Sequence, residues 1–350
     1  MINLETIERI LVTRTDRIGD VVLSTPVLEA LRMRFPQAWI AVMVAVDTRE
    51  LVEGNPYIDE VIVYDKLGPE KSWLGTWRFA REIYKKDFDI AIHLHPTNRV
   101  HWVSYLARIP VRLGYRYKNY RLLTNVIPHL KQEGKKHEAQ YNFDLLAPLG
   151  INPPEHPEPH IPLSETAHQQ LEKIKSEAGL AGHSYVVLSP GSSCPSKMWA
   201  PSRFAELGNL VAKKYQVPVV LIGSEKEKAL ASQISSWMDA KPVNLAGRLT
   251  LGETAWLLKG SRLLVSNDSG PVHIAGAVGT PVISIFGRKQ PGLGPVRWGP
   301  LAPNSKVIHK DVGCEVCLAH RCTYSFLCLD QIQVSEVMEA VEHIEASLNR

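Results

Sequence analysis

Residues 265–287, VSNDSGPVHIAGAVGTPVISIFG, most narrow what this chain can become. They read as the end of a strand (Leu263 to Ser266), a tight turn, a helix and a second strand (Pro281 to Phe286). Asp268 or Ser269 can cap the helix, and Pro271 suits its first turn, where no N–H donor is needed. Gly270, Ala275, Gly276, Ala277 and Gly279 are small enough to lay the helix close against a sheet. A helix N-terminus carries unpaired N–H groups and the positive end of the dipole, so it attracts phosphate. Capped strand–helix turns are also common as plain structure, so the rest of the chain must decide between the two readings.

The same alternation fills the sequence. Arg9 to Arg14 is a short buried strand, followed by the glycine-containing turn Thr15–Asp20 and a helical pattern from Val21 to Phe35. Further strands are expected at Trp39–Ala45, Val61–Tyr64 and Asp89–Leu94, with helices at Trp73–Tyr84, about Asn98–Ala107 and His137–Leu149. Residues 152–162 hold five prolines in eleven positions, which sustains neither helix nor central strand, so the interdomain linker falls there. The pattern then restarts. Strands are expected at Tyr185–Ser189, Val217–Ile222 and Val243–Leu245, and helices at Leu171–Gly179, Pro201–Tyr215, from Glu225 onward behind a Ser224 cap, and Leu251–Lys259. Strands alternating with helices imply parallel, doubly wound sheets, which bind ligands at the carboxyl ends of their strands. The expected division is a first domain over 1–160, a second over 161–332, and a terminal helix in 333–350 that could return to brace the first domain.

At 350 residues, two domains of about 150–180 residues are expected. The formal charge of +4, with no long basic run, suits anionic ligands and not nucleic acid. The N-terminus lacks a charged-then-apolar signal pattern, and no window of about 18 apolar residues occurs. The expected compartment is the cytoplasm, where the five cysteines stay reduced.

Several strand-end loops could carry chemistry. Gly191–Ser193 offers small residues, hydroxyls and free amides; with Lys197, Ser269 and Gly270 it could cradle a diphosphate, though a lone lysine is more often plain surface. Glu225 and Glu227 suit a helix N-terminus, and a carboxylate there can also bind ribose hydroxyls. Arg112–Arg121 interleaves base and aromatic, which could hold an anionic sugar or could be a solvated connection with packed tyrosines. No G-x-G-x-x-G or Walker A sequence occurs, which disfavours a dinucleotide enzyme or NTPase. Asp87-Phe88-Asp89 resembles a metal-holding Asp-x-Asp but precedes its strand, at the non-binding end of a sheet. Cys314, Cys317, Cys322 and Cys328 could ligate zinc or an iron–sulfur cluster, but the spacing is not that of a standard finger and packed thiols are the favoured reading.

Three motifs together give a resemblance: Arg14-Thr-Asp-Arg-Ile-Gly-Asp20 with Val-Val-Leu-Ser-Thr-Pro; Pro190-Gly-Ser-Ser with Lys197 and Trp199; and Ser266-Asn-Asp-Ser-Gly-Pro-Val-His273. In this order they resemble the ADP-heptose:lipopolysaccharide heptosyltransferases, glycosyltransferase family 9. The resemblance implies a GT-B fold, two Rossmann-like domains facing across a cleft. It implies an inverting, metal-independent transfer of heptose from ADP-heptose to the lipopolysaccharide inner core. By motif match Asp20 is the general base; Ser192, Ser193, Lys197, Ser269 and Gly270 bind the diphosphate. Glu227 takes the ribose, with Glu225 as the fallback; Asp268 contacts the transferred sugar, and Leu249 offers backbone atoms to the adenine. Arg17, Arg112, Arg116 and Arg121 are the candidates for acceptor phosphates or carboxylates, with Arg99 and Arg108 in the same role. No cofactor is implied, and a lipid-linked acceptor implies peripheral contact with the inner face of the inner membrane. Alternatives are a GT-B transferase or epimerase using another nucleotide sugar, and a non-catalytic nucleotide- or glycan-binding protein of the same fold.

Overall fold

The computed structural model describes residues 2, 4–317 and 319–348. The chain forms two compact units, Met1–Pro162 and Leu163–Arg350.

The first unit is built on six strands: β1 (Arg9–Arg14), β2 (Trp39–Ala45), β3 (Glu60–Tyr64), β4 (Ile90–His93), β5 (Val111–Tyr115) and β6 (Asn125–Ile127). They pair in the order β3-β2-β1-β4-β5-β6, all parallel. Strands covered on both faces must be apolar throughout, and β2 is buried from Ile40 to Ala45. One face packs Leu11, Met43, Ile62 and Ala91 against Ala80, Ile83, Val100 and Val103 of the covering helices.

The second unit repeats this plan with β7 (Val186–Ser189), β8 (Val219–Leu221), β9 (Val243–Asn244), β10 (Leu264–Asn267), β11 (Val282–Phe286) and β12 (Lys306–His309). Its order is β12-β11-β10-β7-β8-β9, again parallel. Read from β9, it is the strand order of the first sheet. Each sheet therefore reverses direction once, between β1 and β4 and between β7 and β10. A crevice opens at such a reversal because the two neighbouring crossovers leave in opposite directions.

Two differences from the sequence reading have local causes. The helix expected over Val21–Phe35 is two helices, Ile18–Val22 and Thr25–Arg34. Pro26 has no N–H to give the Val22 carbonyl, and the Thr25 hydroxyl donates to that carbonyl instead, at 2.8 Å. The helix expected over His137–Leu149 stops at Asp144, with a single tight turn at Ala147–Leu149 around Pro148. The terminal helix, Val334–Leu348, packs on the second unit. Val337, Val341 and Ile344 belong to the core of the second unit with Phe204, Leu207 and Val211; residues 349–350 of the span assigned to it lie outside the described residues.

Candidate functional site

Strand β1 delivers Arg14 to the reversal point of the first sheet. The side chain is fully enclosed. Its Nη1 donates to the Leu94 carbonyl and to Asn142 Oδ1, each at 3.1 Å. Its Nε lies 2.8 Å from Asp16 Oδ1, and Nη2 lies 3.1 Å from Glu138 Oε1 and also binds the Asp20 carboxylate. The bond to Leu94 ties the end of β1 to the end of β4. Glu138 and Asn142 are four residues apart on the helix Glu138–Asp144, so both face Arg14 from one side. Lys131 closes the cluster, its Nζ 2.6 Å from Glu138 Oε1 and 2.9 Å from Asn142 Oδ1.

Three carboxylates stand against two cations here, and Asp16 absorbs the imbalance. Burial pushes its carboxyl up to about 7; Arg14 opposes this, and Asp20 and Glu138 add to it. His95 Nδ1 lies 3.2 Å from Asp16 Oδ2. Burial, followed by the charges of Arg14 and Lys131, holds His95 well below the usual histidine range, so at neutral pH the imidazole is neutral and this contact is not an ion pair. Burial works against a charged Arg14 as well, but Asp16, Asp20 and Glu138 outweigh it and raise its pKa. Asp20 stands in the first turn of the helix Ile18–Val22 and keeps part of its carboxylate open to solvent. A carboxylate aimed by a locked guanidinium, with one side free, is equipped to take a proton from a hydroxyl.

In the second unit, Asn267 ends β10 and ties the reversal point. Its Nδ2 donates to the Pro190 carbonyl at 2.7 Å, and its Oδ1 accepts from the Trp199 amide at 3.1 Å. Lys197 Nζ lies 2.6 Å from Asp268 Oδ2, so the two residues of the sequence reading meet in one ion pair. Ser269, the residue ahead of the helix Gly270–Ala277, makes no side-chain cap: its Oγ lies 3.1 Å from Ser266 Oγ, while Asp268 turns to Lys197. Among the described residues no protein acceptor takes the amides of Ser269 and Gly270. An open helix N-terminus beside a lysine is what a diphosphate would require.

Glu227 is fixed by a capping box, its Oε2 accepting from the Ser224 amide at 2.6 Å and hydroxyl at 2.7 Å. Its other oxygen lies against Gly191, where an added Cβ would come within 1.9 Å of Oε1. Glycine at 191 therefore lets the carboxylate reach the end of β7. Glu225 instead is exposed and pairs with Lys228 at 2.8 Å, so Glu227 is the acid at the strand ends. Ser192 Oγ donates to the Cys194 carbonyl at 2.9 Å, Ser193 is exposed, and half-buried Leu249 precedes Thr250, which caps the helix Leu251–Lys259.

The arginines expected to meet an acceptor separate into two groups. Arg17 is exposed ahead of the Asp20 helix, and Arg116 and Arg121 are exposed in the segment after β5. Arg112 is different: its Nε donates to the Leu122 carbonyl at 2.7 Å and its Nη1 to the Ile109 carbonyl. It stands near the amino end of β5, so it holds the chain together away from the ligand end, and the acceptor role expected of it is withdrawn. Arg99 is likewise engaged, its Nη1 donating to Thr76 Oγ1 at 2.7 Å, while Arg108 is exposed. Asp89 Oδ2 accepts from the amides of Glu8 and Arg9 at 2.8 and 2.7 Å, a structural duty at the amino end of β1. The cysteines are free; Cys314, Cys317, Cys322 and Cys328 line one small cavity, and Cys328 Sγ donates to the Gly287 carbonyl at 2.9 Å. Among the described residues no group of three or more His, Cys, Asp or Glu side chains is placed to hold a metal ion.

With this geometry in place, sequence comparison decides the family. The model of glycosyltransferase family 9 (heptosyltransferase) matches residues 76–327. The chain belongs to glycosyltransferase family 9. This heptosyltransferase-family chain is similar to lipopolysaccharide heptosyltransferase 3 of Escherichia coli K12, 27% identical over 302 residues, which span 82% of this chain and 83% of that one. Among solved structures it is similar to a family 9 glycosyl transferase from Veillonella parvula DSM 2008. The identity is 27%, the TM-score 0.85, and 98% of each chain is covered. It also shares the fold of E. coli ADP-heptose lps heptosyltransferase II, with 23% identity and a TM-score of 0.80 over 98% of this chain and all of that one. Two Rossmann-like, doubly wound units make this family 9 member a GT-B protein.

Sequence reasoning named Asp20, Lys197 and Glu227 as candidates but assigned no role to Arg14, Asp16, His95, Lys131, Glu138 or Asn142. One signal was present: an arginine at the inner end of an otherwise apolar strand requires buried acids to match it.

Proposed function

We propose that this family 9 member is an inverting heptosyltransferase that moves heptose from ADP-heptose to the inner core of lipopolysaccharide and needs no metal cofactor. The observation that carries this reading is the Asp20 carboxylate, aimed by Arg14 at the carboxyl end of β1 and open on one side. Asp20 accepts the proton of the acceptor hydroxyl while that oxygen attacks the anomeric carbon. The bond from the anomeric carbon to the ADP oxygen breaks as the new glycosidic bond forms, and attack from the opposite face inverts the centre. The departing diphosphate gains charge, which the Ser269 and Gly270 amides and Lys197 stabilise. Ser192 and Ser193 complete the diphosphate contacts, Glu227 takes the ribose, Asp268 meets the transferred sugar and Leu249 lies toward the adenine. Arg17, Arg116 and Arg121 serve the acceptor's phosphates or carboxylates. The acceptor is lipid-linked, so the chain works from the cytoplasm at the inner face of the inner membrane. Among the described residues no helix is long and apolar enough to cross a membrane.

The test is release of ADP from ADP-heptose by purified protein, with and without a lipopolysaccharide core acceptor ending in Kdo or heptose. The expected result is acceptor-dependent release, with an acceptor heavier by one heptose in mass spectrometry. Turnover only with UDP- or GDP-sugars would assign another donor; binding of ADP without turnover on any acceptor would leave a non-catalytic binder.

A further inference from the structure

The helix Trp73–Tyr84, sequence WLGTWRFAREIY, is amphipathic in an unusual sense. Its buried positions are Thr76, Ala80 and Ile83, small or medium residues that let it lie close to the sheet. Phe79 packs inward on the core, but both tryptophans face outward: Trp73 is 60% exposed and Trp77 47%, with Leu74 at 57% beside them and Leu67 at 81% just before them. A surface helix ordinarily turns such residues inward. Single exposed hydrophobics are unremarkable, but a contiguous set marks a contact surface.

Trp73 and Trp77, four residues apart, share one face of the helix, and Trp73 carries that face onto the neighbouring helix. The Trp73 ring meets Trp102 edge-on with centroids 5.8 Å apart, and Trp102 meets Tyr105 in the same way at 5.8 Å. Trp102 and Tyr105 lie on the neighbouring helix Asn98–Leu106, so the aromatic seam crosses two helices. The exposed Arg81 lies 5.1 Å from the Trp77 ring, while Arg99 and Arg112, 4.8 Å from Trp73 and 5.5 Å from Tyr105, are held by Thr76 and by backbone carbonyls and add positive charge beneath the seam. Arg78 is exposed on the same helix, and the acid there, Glu82, is paired with Lys85 at 2.8 Å. The face is therefore apolar and basic together.

We propose that this seam of tryptophan, tyrosine and arginine on the first unit docks the chain on an anionic lipid surface. Charge complementarity chooses the occupant. Tryptophan and tyrosine settle at the level of lipid headgroups, and arginine stems lie along apolar surface while their heads reach phosphate. A second copy packed on this face by two-fold symmetry would bring the same arginines together. The proposal rests on the lipid-linked acceptor of the preceding section and gives that acceptor a surface to arrive from. Trp73 and Arg99 stand at the starts of helices that follow β3 and β4, on the ligand-binding side of the sheet.

The test is flotation of the full chain with vesicles of phosphatidylcholine alone and of phosphatidylcholine mixed equally with phosphatidylglycerol. The chain should float with the mixed vesicles and not with the neutral ones, less so as salt is raised. The triple variant Trp73→Ser, Leu74→Ser, Trp77→Ser should lose at least about tenfold in partitioning, as buried apolar area drives such binding. Those side chains are exposed, so the variant should keep its far-UV circular dichroism and its transfer to a delipidated core oligosaccharide. A wild type that stays with the soluble fraction, or a triple variant that floats equally, overturns the proposal. So does self-association of the wild type that the triple substitution abolishes, which would make the face a contact between copies. Flotation needs no turnover, so failure of the transferase reading would appear separately, as no transfer by any variant.

Discussion

At the scale of residues, the first unit turns on how one buried guanidinium is shared. Arg14 binds Asp16, Asp20 and Glu138 at once, and only Asp20 of the three stands in a helix first turn with a side open. Asp20→Asn keeps the shape and removes the base. Turnover should fall by about 10²–10⁴, the range for losing general-base catalysis, with ADP affinity by calorimetry unchanged; near-normal turnover would remove Asp20 from the mechanism. Asp16 gives a pH signature whose sign can be worked out. Its folded pKa is raised, from 3.8 to about 7, so the folded chain holds a proton that the unfolded chain has released. Asp16's contribution is thus fully present below the unfolded value and lost as pH rises to about 7. Asp16→Asn cannot titrate, and thermal stability of the variant should fall less between pH 4 and pH 7 than that of the wild type. Parallel melting curves across that window would show that Asp16 is ionised throughout. Asp20 and Lys197 were legible in the sequence because they follow strand ends directly. The partners of Arg14 were not: Glu138 and Asn142 lie 124 and 128 residues away, and only the fold brings them to β1.

At the scale of elements, local periodicity located most strands and helices, and it failed where side chains served something other than burial. From β5 onward arginine and tyrosine interleave, so Arg112–Arg121 read as either a substrate loop or a solvated connection; Arg112 is bonded to two backbone carbonyls of its surroundings. The helix Trp73–Tyr84 was found at its observed limits, yet its outward face was legible only once Trp102 and Tyr105 were beside it. The helix Gly270–Ala277 was readable from Pro271 and the small residues, whereas nothing in the sequence showed that Asp268 is drawn to Lys197. That pair separates structure from catalysis. Lys197→Met removes the cation paired with the buried Asp268 carboxylate, which should cost less than the about 3–5 kcal/mol of breaking a fully buried pair, because Lys197 is partly open. Adding Asp268→Asn should recover most of that stability without recovering turnover, since the diphosphate still lacks its cation. Recovery of both in the double variant would mean that Lys197 serves the fold alone.

At the scale of the whole molecule, the chain uses one strand order twice, and each copy closes its own core. The second copy is completed by the terminal helix, which adds Val337, Val341 and Ile344 to a core already holding Leu188, Phe204 and Val265. That destination was not legible in the sequence, because an amphipathic helix specifies a buried face and not the surface it meets. Two separate cores imply two separately readable stabilities. Truncating a buried isoleucine leaves a cavity that its neighbours fill only in part, so Ile344→Ala should cost about 2–5 kcal/mol. The loss should fall on the second unit. In hydrogen exchange of the intact chain, amides of β7, β10 and β11 should exchange faster in the variant, while those of β1, β2 and β4 keep their wild-type rates. Equal acceleration in both sheets would show that the units unfold as one, and that the terminal helix stabilises the molecule as a single cooperative body.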